Sequence, residues 1–310
     1  MIPLSSEWSV AGTFITDSIS GASPAYHTSG LGKMHDFRRA VDVYATRYLP
    51  QGSLTVGMSH SGESDYISRG VSVLATQSSD DKNTVWSEGI GLNRDKINPT
   101  NQIVQNETKQ GLDLLVGVTQ VLGVYDIVQL NAGLYSGQGY FSDPYKVYDE
   151  RPRSRTHQTL LARWNHHFDA TQSTTRLAYR YYKDSWGIRA HTLDTELVQP
   201  LGDGWSLAPG LRFYSQTAAD FYINADPSSY PFPPNPPANA LHYSEDQRVS
   251  AFGARTYGLK VSRQFGLDTR VDLKVERYEQ RGAWTLFGSG STGLDPFYAR
   301  IVQLGFTRWF

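Results

Sequence analysis

Charged side chains recur at every second position in several segments of the sequence. Residues 270–276 read RVDLKVE, so three aliphatic residues alternate with four charged ones. On an extended chain this alternation puts the charges on one face, where they can pair with one another or bind charged solutes. We expect this polar face to carry Arg38, Asp42, Asp113, Arg163, Arg176, Arg180, Asp194, Glu196, Arg212, Lys260, Arg270, Asp272, Lys274 and Glu276.

The polar face has two interpretations. It could line a water-filled lumen and filter solutes, or its charges could form a ladder of ion pairs that only satisfy one another. The two signs are nearly balanced in the set, so the sequence predicts no strong preference for anions or cations. Both interpretations stay open at this stage.

Enzyme motifs are weak in this sequence. Residues 288–293, GSGSTG, fit the pattern G-x-G-x-x-G, but no helix follows that could present its N-terminus to a phosphate. His166 and His167 are adjacent in an extended segment and point to opposite faces, so they cannot share a metal ion. We therefore expect no catalytic residues, no metal site and no cofactor, and we do not predict an enzyme.

The alternating segments divide the chain into about 14 strands of roughly 10–14 residues, which is long enough to cross a bilayer at a tilt. One face of each strand is apolar, as at Val271, Leu273 and Val275. This pattern predicts an all-β fold, a transmembrane antiparallel up-and-down β-barrel that forms a single domain over 1–310. The predicted strands are 7–18, 36–49, 52–63, 66–79, 84–94, 109–121, 124–138, 156–168, 172–185, 189–200, 204–219, 247–264, 268–281 and 298–310.

The connections between these strands alternate in length. One set is short throughout, and the other contains every long connection. Bacterial outer-membrane barrels have short periplasmic turns and long extracellular loops. The parity therefore predicts an outer-membrane protein of a Gram-negative bacterium, with its long connections outside the cell: 19–35, 95–108, 139–155, 220–246 and 282–297.

The longest connection, 220–246, contains six prolines. Proline fixes the backbone in extended conformations and supplies no hydrogen-bond donor, so this segment is semi-rigid and not a strand. It could fold into the mouth as a constriction or stand outside as a contact surface. We favour the surface loop.

Composition and chain ends agree with a membrane barrel. No apolar run approaches the roughly 20 residues of a spanning helix, and 19 Tyr and 7 Trp suit two aromatic girdles. The net charge of -1 gives no reason to expect a nucleic-acid partner, and the absence of Cys excludes disulfides. We expect that an export signal has been removed from the N-terminus. The alternating end of the chain, closing on Phe310, resembles the last strand of outer-membrane proteins.

Three segments carry a more specific resemblance: ERPRSR at 150–155, YKDSWGI at 182–188 and RFYSQTAADFY at 212–222. Over about residues 145–222 the chain resembles a family of uncharacterised bacterial outer-membrane proteins, a domain of unknown function. The resemblance implies a barrel in the outer membrane and brings no activity. By strand parity we expect the motif residues to gather at the extracellular rim. They could form a binding patch, or a network that holds loops 139–155 and 220–246 in place, and we favour the network. This cluster contains Arg151, Arg155, Asp184, Trp186, Gln216, Asp220 and Tyr222.

We also expect a defined register in the hairpin around Gly187. A turn centred on Gly187 places Arg180 opposite Asp194 and predicts an ion pair between them on the lumen wall. Taken together, the residues predict a narrow pore or transporter for small hydrophilic solutes. The alternative is a closed, non-conducting barrel that acts as a scaffold or docking partner for another envelope component. The partners expected are outer-membrane lipid and either a small hydrophilic solute or an envelope protein.

Overall fold

The computed structural model describes residues 1–21, 34–224 and 236–309. In these ranges it contains 17 strands and two short 3-10 helices, at Gln247–Val249 and Gly282–Trp284. No helix in the described part of the chain has the length and apolar character needed to cross a membrane. The strands are β1 (Ile2–Pro3), β2 (Trp8–Gly21), β3 (Met34–Leu49), β4 (Gly52–Gly62), β5 (Tyr66–Ser78), β6 (Thr84–Ile97), β7 (Glu107–Val121), β8 (Asp126–Gly139), β9 (Asp149–Glu150), β10 (Ser154–Phe168), β11 (Ser173–Asp184), β12 (Arg189–Gly202), β13 (Trp205–Gln216), β14 (Tyr243–Ser244), β15 (Phe252–Phe265), β16 (Thr269–Arg281) and β17 (Phe297–Arg308).

Fifteen of these strands form one antiparallel sheet in which each strand pairs with its neighbours in sequence. The exceptions are β9 and β14, which pair with each other in a separate two-stranded sheet. This is the all-β, up-and-down architecture that the alternating pattern predicts, and each of the 14 predicted strands overlaps one long strand of the sheet. The predicted end of the chain at Phe310 lies outside the described residues.

One predicted strand begins too early. The alternation predicts a strand from 247, whereas Gln247–Val249 is a 3-10 helix and β15 begins at Phe252. Asp246 precedes this helix in an extended conformation, and its side chain accepts a hydrogen bond from the backbone N–H of Arg248. This capping interaction favours a helical turn over a continuing strand.

Connections at the two ends of the sheet differ in length, as the parity predicts. The turn end, as we call it, has the short connections 50–51, 79–83, 122–125, 169–172, 203–204 and 266–268. The opposite loop end has the connections 63–65, 98–106, 140–153, 185–188, 217–251 and 282–296. Every long connection between the described strands is therefore at the loop end.

The long strands have one apolar and one polar face. On β16 and β17, Leu273 lies opposite Leu304 and Val275 opposite Val302, and all four side chains are exposed. The same face exposes aliphatic and aromatic side chains on every long strand, including Leu304 at 79%. An exposed apolar surface of this extent is unfavourable in water, so it requires an apolar surrounding such as lipid.

The described part of the chain has a small hydrophobic core at the loop end, away from the sheet's apolar face. Trp186, Ile188, Ala219 and Val249 are each 3% or 4% exposed and come from three different segments of the chain. Four partly buried aromatic residues pack against them: Phe141, Tyr182, Phe221 and Tyr222. The loops thus form a packed structure of their own, which we call the loop core.

Candidate functional site

All 14 residues predicted for the polar face lie on one face of the sheet. Register pairs connect them from strand to strand: Asp194 lies opposite Arg212, Arg176 opposite Glu196, and Lys260 opposite Lys274. Because directly opposed residues in antiparallel strands share a face, these chains of pairs place the whole set opposite the exposed aliphatic residues.

Several of these charges neutralise one another. Arg176 contacts Glu196 at 2.8 Å, and Arg212 forms an ion pair with Asp194. On β16 the pairs run along the strand, from Arg270 to Asp272 at 2.9 Å and from Lys274 to Glu276 at 2.8 Å. Arg38 is bound by Asp17 of β2 at 2.7 Å. The ladder interpretation therefore accounts for nine of the 14 predicted residues.

The remaining five have no ion pair among the described residues. Arg163 donates to the side-chain oxygen of Gln129 at 3.2 Å, which leaves its charge uncompensated. Arg180 and Lys260 are bases without a carboxylate partner, and Asp42 and Asp113 are acids without a basic one. The free bases lie on β10, β11 and β15, whereas the free acids lie on β3 and β7. In the part of the chain that is described, pairing thus leaves three bases and two acids of the predicted set without an ion-pair partner.

A cavity of about 520 Å³ lies against the basic side of the polar face. Residues from six neighbouring strands line it, and five of these strands contribute charged side chains, some paired and some unpaired. The volume is in the range of small-molecule sites in proteins. Eight of the predicted polar-face residues contribute to its wall: Arg163, Arg176, Arg180, Asp194, Glu196, Arg212, Lys274 and Glu276.

The predicted ion pair between Arg180 and Asp194 is wrong, although the two residues share a face. Arg180 lies opposite Thr192, and Asp194 lies opposite Ala178 and binds Arg212 instead. The hairpin is centred on position 186 and not on Gly187, so the register differs by two residues from the prediction. An even shift preserves the facing of every side chain and changes only the partners.

Asp184 explains this register. Its carboxylate accepts hydrogen bonds from the backbone N–H groups of Trp186 at 3.0 Å and Ile188 at 2.9 Å. The same group accepts from the Tyr182 hydroxyl at 3.0 Å and forms an ion pair with Arg155 at 2.6 Å. Four residues that contact one buried carboxylate determine where the chain reverses, and Gly187 takes a φ of +88° within that turn.

The predicted rim cluster is brought together at the loop end. The Arg155 guanidinium stacks over the Trp186 ring, 4.1 Å from its centroid, and the indole N–H donates to the backbone oxygen of Ser154. Gln216 is 5% exposed, and its amide donates to the backbone oxygens of Arg248 and Ser250. These contacts connect the ends of β10, β11 and β13 with the segment that follows β14.

The other members of the cluster are peripheral or act through the backbone. The side chain of Asp220 is exposed, and its backbone N–H donates to the oxygen of Trp186 at 2.8 Å. Tyr222 packs against the loop core, and its backbone forms a bridge to Ser244. These residues help to hold the loops in place, and neither brings a charged group to the centre of the cluster.

The centre is a chain of ion pairs between two of the long loops. Arg151 contacts Asp149 at 2.6 Å and Asp246 at 2.6 Å, and all three side chains are at least nine-tenths buried. Asp246 also binds Arg248 at 2.5 Å, and Arg248 contacts Asp143 at 2.6 Å. Beside these contacts, β9 and β14 pair residues 149–150 with 243–244. Loops 140–153 and 217–251 are therefore joined, which agrees with the network that we favoured over a binding patch.

The carboxyl groups of this network differ in their pKa. Burial acts to raise the pKa of Asp246, but hydrogen bonding and charge from Arg248 and Arg151 outweigh it, and the pKa lies well below its ordinary range. Burial raises the pKa of Asp149 despite the Arg151 hydrogen bond. Burial also raises the pKa of Glu245 to about 7, against the charge of Lys146. One loop thus carries a firmly ionised acid next to one that titrates near neutrality.

Sequence reasoning missed Asp149, Asp246, Arg248, Asp143 and Glu245. Only Arg248 lies in a predicted strand, 247–264, and the partners in the two loops are far apart in sequence, so no spacing links them. The acidic pair Glu245-Asp246, which begins eight positions after the last proline of the proline-rich stretch, was the one available signal. Of the prolines in that stretch, the structure describes Pro236 and Pro237; the remainder of the predicted surface loop, 225–235, lies outside the described residues. In the part of the chain that is described, no group of three His, Asp or Glu residues is placed to hold a metal ion.

A long-stranded up-and-down sheet with an exposed apolar face and a charged opposite face defines an outer-membrane β-barrel protein. The solved structure of CdiB from Acinetobacter baumannii has the same fold, with a TM-score of 0.53 at 9% identity. That match covers 96% of this chain and 53% of CdiB, so the chain spans about half the length of CdiB. The siderophore receptor PirA from Acinetobacter baumannii has a TM-score of 0.49 at 9% identity, covering 89% of this chain and 49% of PirA.

The chain belongs to the DUF3570 family, described as a protein of unknown function, whose model matches residues 15–299. A comparison with curated proteins found no match. The resemblance seen over 145–222 therefore extends to most of the chain.

Proposed function

We propose that this barrel is a narrow pore or transporter for small hydrophilic solutes. The observation that carries the proposal is the charge left on the polar face after pairing. Arg180 on β11 and Asp42 on β3 are seven positions apart among the 14 long strands, which places them on opposite walls of a closed barrel. A lumen that only satisfied its own charges would leave no such unpaired bases and acids.

Unpaired bases and acids around one lumen favour solutes that carry polar groups at both ends. A zwitterion or a sugar acid can interact with an unpaired base such as Arg180 and an unpaired acid such as Asp42, whereas an apolar solute gains nothing there. The cavity of about 520 Å³ beside Arg163 and Arg180 is of a size that holds a small molecule. The proposal therefore concerns small solutes and assigns no catalytic step to the chain.

The loop core restricts entry on one side. Polar-face residues at the loop ends of β12, β13 and β15 are buried beneath it: Ala190, Gln216 and Ala254 are 4%, 5% and 3% exposed. The loops therefore narrow the mouth above these three strands. This arrangement suits a constricted pore better than an open one.

The same loop core supports a second candidate function. Two loops joined by buried ion pairs form a rigid surface, and rigid surfaces bind partners with a smaller entropic cost. A closed barrel that presents this surface to another envelope component is the alternative to the pore. It predicts a folded protein that passes no solutes.

Solute flux into liposomes separates the two candidates. The refolded barrel should admit small sugars and amino acids and exclude larger oligosaccharides. Arg180→Glu should slow the entry of anionic solutes relative to cationic ones, whereas Glu88→Gln on the apolar face is the control and should change nothing. Folded protein that admits no solute of any size would reject the pore in favour of the scaffold.

A further inference from the structure

Three pairs of basic residues lie directly opposite each other on the apolar face. Arg69 of β5 faces Arg94 of β6, Lys183 of β11 faces Arg189 of β12, and Arg277 of β16 faces Arg300 of β17. All six side chains are exposed. Like charges in direct opposition on neighbouring strands are destabilising, so three such pairs need an explanation.

The three basic pairs lie at the same height along the barrel. Along the strands, each basic pair is eight residues from an opposed pair near the turn end. These turn-end pairs are Gln77 with Trp86 for the first, Thr175 with Leu197 for the second, and Thr269 with Arg308 for the third. Eight residues of strand at a tilt of about 40° rise about 21 Å, and the apolar band of outer-membrane barrels is about 25 Å tall. The three pairs therefore lie at the loop-end border of the lipid-facing surface, where long basic side chains can reach the headgroups.

Apolar residues lie on the membrane side of two of the pairs, whereas Tyr181 with His191 and then Tyr179 with Leu193 lie beneath the pair of Lys183 and Arg189. Beneath Arg277 and Arg300 the opposed residues are Val275 with Val302 and then Leu273 with Leu304. Beneath Arg69 and Arg94 they are Val71 with Leu92 and then Val73 with Ile90. A ligand that fits this surface combines an anionic group at the border with acyl chains below it.

None of the six side chains has a hydrogen-bond or ion-pair partner in the described ranges, so their charges are available to a ligand. Near the third pair, Glu279 is bound by Arg281 at 2.6 Å, and Arg281 also donates to the Tyr298 hydroxyl at 3.1 Å. Arg255 lies over the Trp284 ring, 4.1 Å from its centroid. Because Glu279 compensates the charge of Arg281, Arg255 is the further cation near the Arg277–Arg300 pair.

We propose that the three cation pairs bind the phosphate groups of a phosphorylated glycolipid in the outer leaflet of the membrane. Two guanidinium or ammonium groups side by side can share one phosphate, which removes their repulsion and forms charge-assisted hydrogen bonds. The acyl chains of the same molecule would cover the aliphatic rows below. The proposal depends on the loop end facing the outer leaflet and is independent of whether the lumen conducts.

Native mass spectrometry of the intact, refolded barrel tests the proposal, with lipid A as the probe because it is a glycolipid with two phosphates. The variants Arg69→Gln/Arg94→Gln, Lys183→Gln/Arg189→Gln and Arg277→Gln/Arg300→Gln each remove one pair. Arg180→Gln/Lys260→Gln is the matched control, because it removes two unpaired cations from the polar face. We expect each test variant to weaken lipid A binding at one site by about tenfold or more, and the control to bind like the wild type.

The stability of the variants is a second measurement, and its expected result differs from that of a folding defect. In micelles without lipid A, each test variant should be at least as stable as the wild type, since it loses a repulsion. Adding lipid A should then stabilise the wild type more than the variants. Equal lipid A binding by the test variants and the wild type, or equal binding of dephosphorylated lipid A, would overturn the proposal. Occupation of the same pairs by inorganic phosphate at the same concentration would show a site for free anions and would also overturn it.

Discussion

The Arg151 guanidinium lies 2.6 Å from the carboxylate of Asp246, 95 residues further along the chain. Both side chains are at least nine-tenths buried, and Asp149 holds the other side of the guanidinium. Two loops that are remote in sequence thus meet at one buried cation. Their joined structure covers part of the barrel mouth.

Removing this cation should open the loops. Arg151→Met keeps most of the volume but leaves buried carboxylates without their shared partner, which costs about 3 kcal/mol. Amide protons of 149–150 and 243–244 should then exchange about a hundredfold faster by local opening, measured by hydrogen exchange. Arg153→Met is the control, because Arg153 forms an exposed pair with Glu107 and its side chain is 60% exposed. Unchanged protection in Arg151→Met would show that the backbone pairing alone holds the loops.

The pairing of these loops should weaken as the pH rises. The pKa of Glu245 is about 7 in the folded loops and 4.5 in an unfolded chain. Between these values the folded form binds more protons than the unfolded form, so stability falls from about pH 4.5 to about pH 7. Lys146, Asp149 and Asp246 surround the group and modify the size of the effect without changing its sign.

Hydrogen exchange of the same amides at pH 5 and pH 8, corrected for the intrinsic pH dependence, measures this effect. Glu245→Gln should abolish the difference, because the neutral amide mimics the protonated acid. Glu150→Gln changes an exposed neighbouring acid and should leave the difference in place. Protection that increases with pH would reverse the sign and contradict the assignment.

An added positive charge should reduce stability much more on one face of the last strand than on the other. Leu304 is on the apolar face, and its neighbour Gln303 is on the polar face opposite Lys274. Leu304→Arg should destabilise the barrel in bilayers by about 2–4 kcal/mol if the residue lies near the midplane. Gln303→Arg should cost far less, because water in the lumen screens its repulsion from Lys274. Equal costs in urea unfolding titrations would contradict the facing.

Strands and facing could be predicted from the sequence because period-two alternation is a local signal that a bilayer enforces on every strand. The predicted strand 52–63 and the observed Gly52–Gly62 differ by one residue at one end. Partners across strands were harder to predict. Arg180 was assigned to Asp194, because alternation cannot distinguish a turn centred on 187 from one centred on 186, where the contacts of Asp184 decide the register.

The loop network could not be predicted for a different reason. Asp149 and Asp246 meet through Arg151, and no repeat or motif spacing connects such distant positions. The resemblance over 145–222 indicated Arg151 and Trp186, but their acidic partner lies at 246, beyond that segment. Charge pairing across loops depends on tertiary contacts, which a pattern along the chain does not contain.

Single-channel recording in planar bilayers tests the central claim most directly. The refolded wild-type barrel should produce stable stepwise currents, and Arg180→Glu should shift its ion selectivity towards cations, because the variant converts an unpaired base on the lumen wall into an acid. Glu88→Gln, on the lipid-facing surface, should keep the wild-type selectivity. Persistent silence from protein that is demonstrably folded and inserted would contradict the pore and favour the scaffold.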